Sequence, residues 1–252
     1  MKDVRLRTVL AIVASCAAAA FMLFGVIGLS PFGSYPGPYG DIIAHVGVMQ
    51  RHALNVATAI NFDYRGFDTL IEEYILFTAV AGVTLLFREQ LRPHERIGRD
   101  PDVERPMAPP SDGIGWLAYG LLPVGTMFEI YLAIHGQLTP GGGFQAGAIV
   151  ASTFVLIYLG LGYTTMSRFM PREFADACES IGASGYALVG VATAIASGVF
   201  LTNVLRLGTT GSLLSAGTIP VINLCVFLEV SFGLIVAVML FAAQTRKTEG
   251  RE

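Results

Sequence analysis

A chain of 252 residues that is 53% hydrophobic and only 14% charged falls well short of the roughly 25% charge of soluble domains. Its apolar residues also run in uninterrupted blocks, which argues against a water-soluble globule and for a polytopic membrane protein. The net charge of −3 offers no basic surplus for nucleic acid. Three widely spaced cysteines (Cys16, Cys178 and Cys225) form no Cys-x-x-Cys pair or Cys/His cluster, so no disulfide framework, metal centre or cofactor is expected.

The first apolar block covers residues 8–29, behind the basic stretch MKDVRLR. Its length of about 22 residues exceeds the roughly 7–15 of a cleavable signal core, so an uncleaved membrane helix is expected. Residues 41–62 are helix-like but carry His45, Gln50, Arg51, His52, Asn55 and Asn61. On a helical wheel Asp41, His45 and His52 share one stripe, with Asn55 at its edge. A span here would place the later arginine-rich loop outside, so the segment is read as one amphipathic helix, interfacial or half-inserted. His45 and His52 stand roughly 10 Å apart along such a helix, too far to share one ion. They form either a polar face or part of a proton-transfer route, since histidine titrates near neutral pH.

Residues 67–87 form the second expected span, introduced by NFDYRGFDTLIEE at 61–73. Arg65, Asp68, Glu72 and Glu73 gather at its start, with Asp68 and Glu72 at helical i, i+4 spacing. Two readings stay open. The acids answer the helix dipole and Arg65 pairs with one of them, or they belong to a membrane-embedded ion or proton path. Residues 89–112, EQLRPHERIGRDPDVERPMAPPSD, make the one evident linker, polar and proline-rich. It separates a two-helix part, residues 1–88, from a four-helix part, residues 113–252.

Spans are expected at 116–134, 144–163, 185–205 and 218–242. Trp116 sits at a span edge as an interfacial anchor. Glu129 and Glu229 lie inside spans; a central acid costs about 2.5–3.5 kcal/mol on insertion scales. Each is either a structural hydrogen-bonding group or part of an ion path. Gly190, Ala194 and Gly198 form a small-residue stripe that reads as helix packing. Between the third and fourth spans runs LTPGGGFQAGAI. Pro140 is expected to stop one helix, Gly141, Gly142 and Gly143 to turn sharply with positive φ, and Phe144 to start the next. A phosphate-binding loop would need Lys and Ser/Thr after the glycines, and Phe144-Gln145 supply neither. The loop is a hairpin for close packing, or a surface for a neighbouring subunit or a water-filled entry.

The fold class is therefore all-α and integral to the membrane, with six transmembrane helices plus one amphipathic helix. Six spans leave only Arg51, Arg65 and Arg206 on the outer side, so both termini are expected in the cytoplasm.

GQLTPGGGFQAG resembles the signature of the MnhB family, the B subunit of Mrp-type multisubunit cation/proton antiporters. Gly136, Pro140, Gly141, Gly142, Gly143, Phe144 and Gly147 match the family pattern, while Gln137 and Ala146 stand where it usually has His and Gly. Arg65-Gly66-Phe67-Asp68-Thr69 followed by Glu72 resembles the C-terminal region of the antiporter A subunit, which also occurs as a separate subunit of membrane-bound hydrogenases; Ile71 replaces a glycine of that pattern. The two resemblances imply a fusion of an A-like module with an MnhB-like module, joined at the linker. They imply a non-enzymatic subunit in a hetero-oligomeric complex of the cytoplasmic membrane, with Na⁺ and H⁺ as transported ions. Glu72 is favoured over Glu73 because it matches the motif. The rivals are a membrane-arm subunit of a redox-driven pump such as a membrane-bound hydrogenase, a stand-alone transporter, and a scaffold whose acids serve packing.

Overall fold

In the computed structural model, residues 2–29, 31, 33–34, 38–87 and 112–248 are described. Among the described residues, eight α-helices follow in order: α1 (Lys2–Ile27), α2 (Tyr39–Arg51), α3 (Val56–Ala59), α4 (Gly66–Phe87), α5 (Asp112–Ile134), α6 (Gly143–Phe169), α7 (Arg172–Ser197) and α8 (Ile219–Thr248). A π-helical turn, Ile60–Tyr64, joins α3 to α4. No strand occurs among the described residues. Six of the helices are long and apolar enough to cross a membrane, as the hydrophobic blocks require, because backbone polar groups in hydrocarbon must be satisfied within the segment. The linker expected at 89–112 lies outside the described residues, except that Asp112 already belongs to α5.

The chain divides into two compact units, residues 1–41 and 42–252. The first contains α1, an apolar helix without a polar face. The second is built around α8, which packs against α4, α6 and α7. Its core includes Ile222, Val226, Val230, Ile235 and Met239, all nearly or fully buried. The close approach depends on glycine. A Cβ on Gly143 of α6 would land on the Asn223 carbonyl oxygen of α8, and one on Gly147 would lie 2.9 Å from the Ser231 nitrogen. On α7, a Cβ on Gly182 would lie 2.5 Å from the Glu229 nitrogen. Without a hydrophobic drive between helices in lipid, such backbone proximity supplies the packing energy.

Four expectations change. Residues 41–62 do not form one helix: α2 ends at Arg51, His52 has φ 49°, and Asn55 caps a new short helix. His52 therefore lies off the stripe that carries Asp41 and His45. At 13 residues, α2 is only about 20 Å long, too short for a core of about 30 Å. The fifth span begins at Arg172 and ends at Ser197, not at 185–205, because Gly198 adopts a left-handed cap at φ 79°. The stripe Gly190, Ala194 and Gly198 is thus not a helix–helix seam: Gly190 lies under the Phe200 ring, and Gly198 terminates the helix. The contact face of α7 is instead Ala175, Glu179, Gly182, Ala183 and Tyr186. Finally, Pro140 is not what stops a helix: α5 ends at Ile134, where the third span was expected to end, and a turn follows in which the Leu138 N–H donates to the His135 carbonyl at 2.8 Å.

Candidate functional site

The glycine loop lies at the end of the bundle where α4, α6 and α8 begin. Gly141 and Gly142 adopt φ of 128° and 154°, the positive φ expected of them, whereas Gly143, expected to turn with them, is already the first residue of α6, one position before Phe144. Two asparagines hold it. The Asn55 side-chain amide lies 2.9, 3.0 and 3.3 Å from the carbonyls of Gly136, Thr139 and Gly141. Its backbone N–H donates to the Gln137 carbonyl at 3.1 Å. From α8, Asn223 accepts the Gly143 N–H at 2.7 Å and donates to the Ala133 carbonyl at 2.6 Å. Thr58 adds a hydroxyl bond to Gly136 at 2.7 Å. The Gln137 side chain, fully buried, donates to the Leu213 carbonyl at 2.5 Å.

Leu213 belongs to the strap between α7 and α8, which folds over the same end. The His52 ring nitrogen Nδ1 meets the Gly208 carbonyl at 2.6 Å, and since a carbonyl only accepts, Nδ1 carries the proton. Ser215 donates back to the His52 carbonyl at 2.7 Å. Asn203 bonds the Ala216 carbonyl and the Thr218 N–H within the strap and reaches Asp63 at 3.1 Å. Asp63 also pairs with Arg51 at 2.8 Å, and Arg51 covers the Tyr64 ring. Burial pushes the Asp63 carboxyl above its ordinary range, and Arg51 and Asn203 offset only part of that rise. The sequence reading passed over Asp63 and Asn203, because neither has a local partner.

Beneath the loop is a cavity of about 290 Å³. Thr58, Asn61, Thr69, Glu72 and Glu73 line one side; Pro140, Gly141, Gly142 and Gln145 line the other. The two motifs read separately from the sequence thus face each other across one space. Glu72 is exposed, whereas Glu73 is 2% exposed and its Oε2 has no hydrogen-bond partner among the described residues. Arg65 and Asp68 pair with each other at 2.5 Å. Both are more than half exposed, so this ion pair contributes little, about 0–1 kcal/mol.

Behind the cavity, Glu73 lies within electrostatic reach of Glu229, and Glu229 of Glu179. These three carboxyl groups come from α4, α8 and α7. Glu229 is 1% exposed, with both oxygens unpaired among the described residues. Buried charge without a partner is costly, so such groups hold a proton, a cation or a polar partner. Glu179 was missed at the sequence level because its helix was started too late. The periodic run Glu179, Gly182, Ala183, Tyr186 carried the signal that it faces the bundle. Glu129 stands apart on α5: it is buried, does not line the cavity, and no charged side chain acts on it among the described residues. His45 lies exposed on α2.

Residues 115–236 match the family described as a domain related to the MnhB subunit of Na⁺/H⁺ antiporters. An uncharacterised protein of Methanocaldococcus jannaschii is 31% identical over 209 residues, covering 75% of this chain and 78% of that protein. Among solved structures, a chain of the membrane-bound sulfane sulfur reductase, an archaeal respiratory membrane complex, superposes with a TM-score of 0.66 at 29% identity. That match covers 94% of this chain and 98% of the other. A chain of the Mrp complex from Dietzia sp. DQ12-45-1b gives a TM-score of 0.68 at 20% identity, a likeness of fold. It covers 94% of this chain but only 26% of that longer one.

Proposed function

Residues 115–236 of this chain match the domain related to the MnhB subunit of Na⁺/H⁺ antiporters, and from that premise we propose that the chain is a membrane subunit of a multisubunit cation/proton antiporter. It exchanges Na⁺ or another monovalent cation for H⁺ together with its partner subunits in the cytoplasmic membrane. The observation that carries this reading is the cavity with Glu72 and Glu73 on one wall and the glycine loop on the other. The arginine distribution supports a reading with that end outward and both termini in the cytoplasm. A cation entering there meets hydroxyl, amide and carboxylate oxygens. Glu72 stands exposed toward a neighbouring subunit, beside the Arg65–Asp68 pair, while Glu73 stands behind it. Occupation of these carboxylates by a cation or by a proton, but not both, couples the two ions. The chain itself catalyses no covalent chemistry.

The test is ΔpH-driven cation exchange in everted vesicles that hold the complete complex in an antiporter-deficient host. Glu72→Gln and Glu73→Gln are each expected to reduce exchange at least tenfold without loss of assembly. Full exchange by both assembled variants would sink the proposal.

A second reading is favoured by the near full-length likeness to a chain of the sulfane sulfur reductase complex. In it the same subunit serves the membrane arm of a pump driven by redox chemistry in peripheral subunits. Mass spectrometry of the complex purified from its native membrane separates the two. Partners bearing iron–sulfur clusters favour the pump, and hydrophobic partners alone favour the antiporter.

A further inference from the structure

The three buried acids are staggered in depth. Glu73 lies seven residues into α4, about 10 Å below the cavity end at 1.5 Å per residue. Glu229 lies ten residues into α8, about 15 Å from the same end. Glu179 lies seven residues from the start of α7 at Arg172, about 10 Å from the opposite end. In a core about 30 Å thick, they mark an upper, a middle and a lower station.

The packing agrees with this order. Gly182 of α7 abuts the Glu229 backbone, one helical turn above Glu179. Gly233, one turn below Glu229 on α8, receives the Glu179 carboxyl: a Cβ there would lie 3.1 Å from Glu179 Oε1. It would also lie 3.5 Å from a methyl of Val80, two turns below Glu73 on α4. The acids therefore follow one seam between α4, α7 and α8. Glu73 and Glu229 have unpaired oxygens among the described residues, and all three are at least nine-tenths buried.

We propose that Glu73, Glu229 and Glu179 form a transmembrane proton path that continues from the cavity to the opposite face, with Glu179 as its exit. This rests on the reading of the chain as a cation/proton subunit and adds the route that one of the two ions takes. In each step a proton passes from a carboxyl to the next carboxylate, directly or through water, and the emptied group reloads from the cavity side. No electrons move. The seam suits protons rather than metal cations. The helices meet backbone to backbone at Gly182, and glycine and a valine methyl flank the Glu179 carboxyl, so a dehydrated cation would lack the shell of oxygens that the cavity offers.

The experiment uses the complete complex in proteoliposomes, with two readouts: proton flux driven by a Na⁺ gradient, and Na⁺/Na⁺ self-exchange, which needs no proton. Glu179→Gln is expected to lower proton flux at least tenfold while self-exchange stays within twofold, and Glu179→Asp to restore part of the flux. Gly233→Val, which displaces the carboxyl but keeps it, is expected to lower proton flux in the same way. Wild-type proton flux in Glu179→Gln overturns the path, as does parallel loss of both readouts in an assembled complex. If Glu179→Gln fails to assemble, wild-type flux in Gly233→Val overturns it. Loss of flux in Glu73→Gln with none in Glu179→Gln leaves the cavity reading standing and removes the path. A wild-type complex that exchanges no cation for protons removes the antiporter reading itself.

Discussion

Asn223 on α8 accepts the backbone N–H of Gly143 at 2.7 Å, and this bond sets where α6 begins. Both partners are buried. The same amide donates to the Ala133 carbonyl at the end of α5, so one side chain joins three membrane helices. Asn223→Ala strands a donor and an acceptor. Each buried unsatisfied group costs about 1–3 kcal/mol. The expected outcome is a clear drop in the thermal midpoint of the purified complex, read by fluorescence-detected size exclusion.

Asn55, at the N-cap of α3, acts on the same loop through three carbonyls. Asn55→Ala should release the loop while leaving the helices packed. In a Thr139→Cys background, maleimide labelling is expected to run at least tenfold faster with Asn55→Ala than without it. Equal rates would mean that Asn223 alone holds the turn.

The turn itself was legible in the sequence, since consecutive glycines admit the positive φ that a tight reversal needs. The clamp was not. Asn55 and Asn223 sit 168 positions apart in the numbering, and nothing local to either records the loop that they share. Likewise Glu72 drew attention through its motif, while Glu73, beside it and identical in type, is the residue that the fold buries. A helix register decides that, and adjacent residues differ by 100° around the axis.

Glycines along the membrane helices should respond according to what they face. Gly182→Ala places a methyl against the Glu229 backbone and should force α7 from α8, reducing the yield of assembled complex several-fold. Gly82→Ala on α4 meets no atom within 4 Å. That substitution should be neutral or stabilise by about 0.5–1 kcal/mol through helix propensity. Yields and thermal midpoints measured in parallel test both.

Asp63 gives a pH dependence with a defined sign. Burial raises its folded pKa above the ordinary 3.8, despite Arg51 and Asn203. Its contribution to stability is therefore full below that ordinary value and is lost as pH rises through the folded one. Against Asp63→Asn, which cannot titrate, the wild-type advantage should shrink as pH increases from about 3.8 upward. Thermal midpoints of both proteins across pH 4–8 test this, and a wild-type advantage that grows with pH would contradict it.

What the sequence determined by itself was the class and the inventory: long apolar runs that must close their own backbone hydrogen bonds, and hence helices, together with two motifs of recognisable type. These are consequences of composition and short-range geometry. Only the tertiary structure decided that the two motifs share a cavity, that residues 41–62 break at His52, and that Glu179 lies within a helix beside α8. Those outcomes depend on which helix faces which and at what depth. That is set by backbone contacts at Gly143, Gly147 and Gly182, between residues distant in the chain.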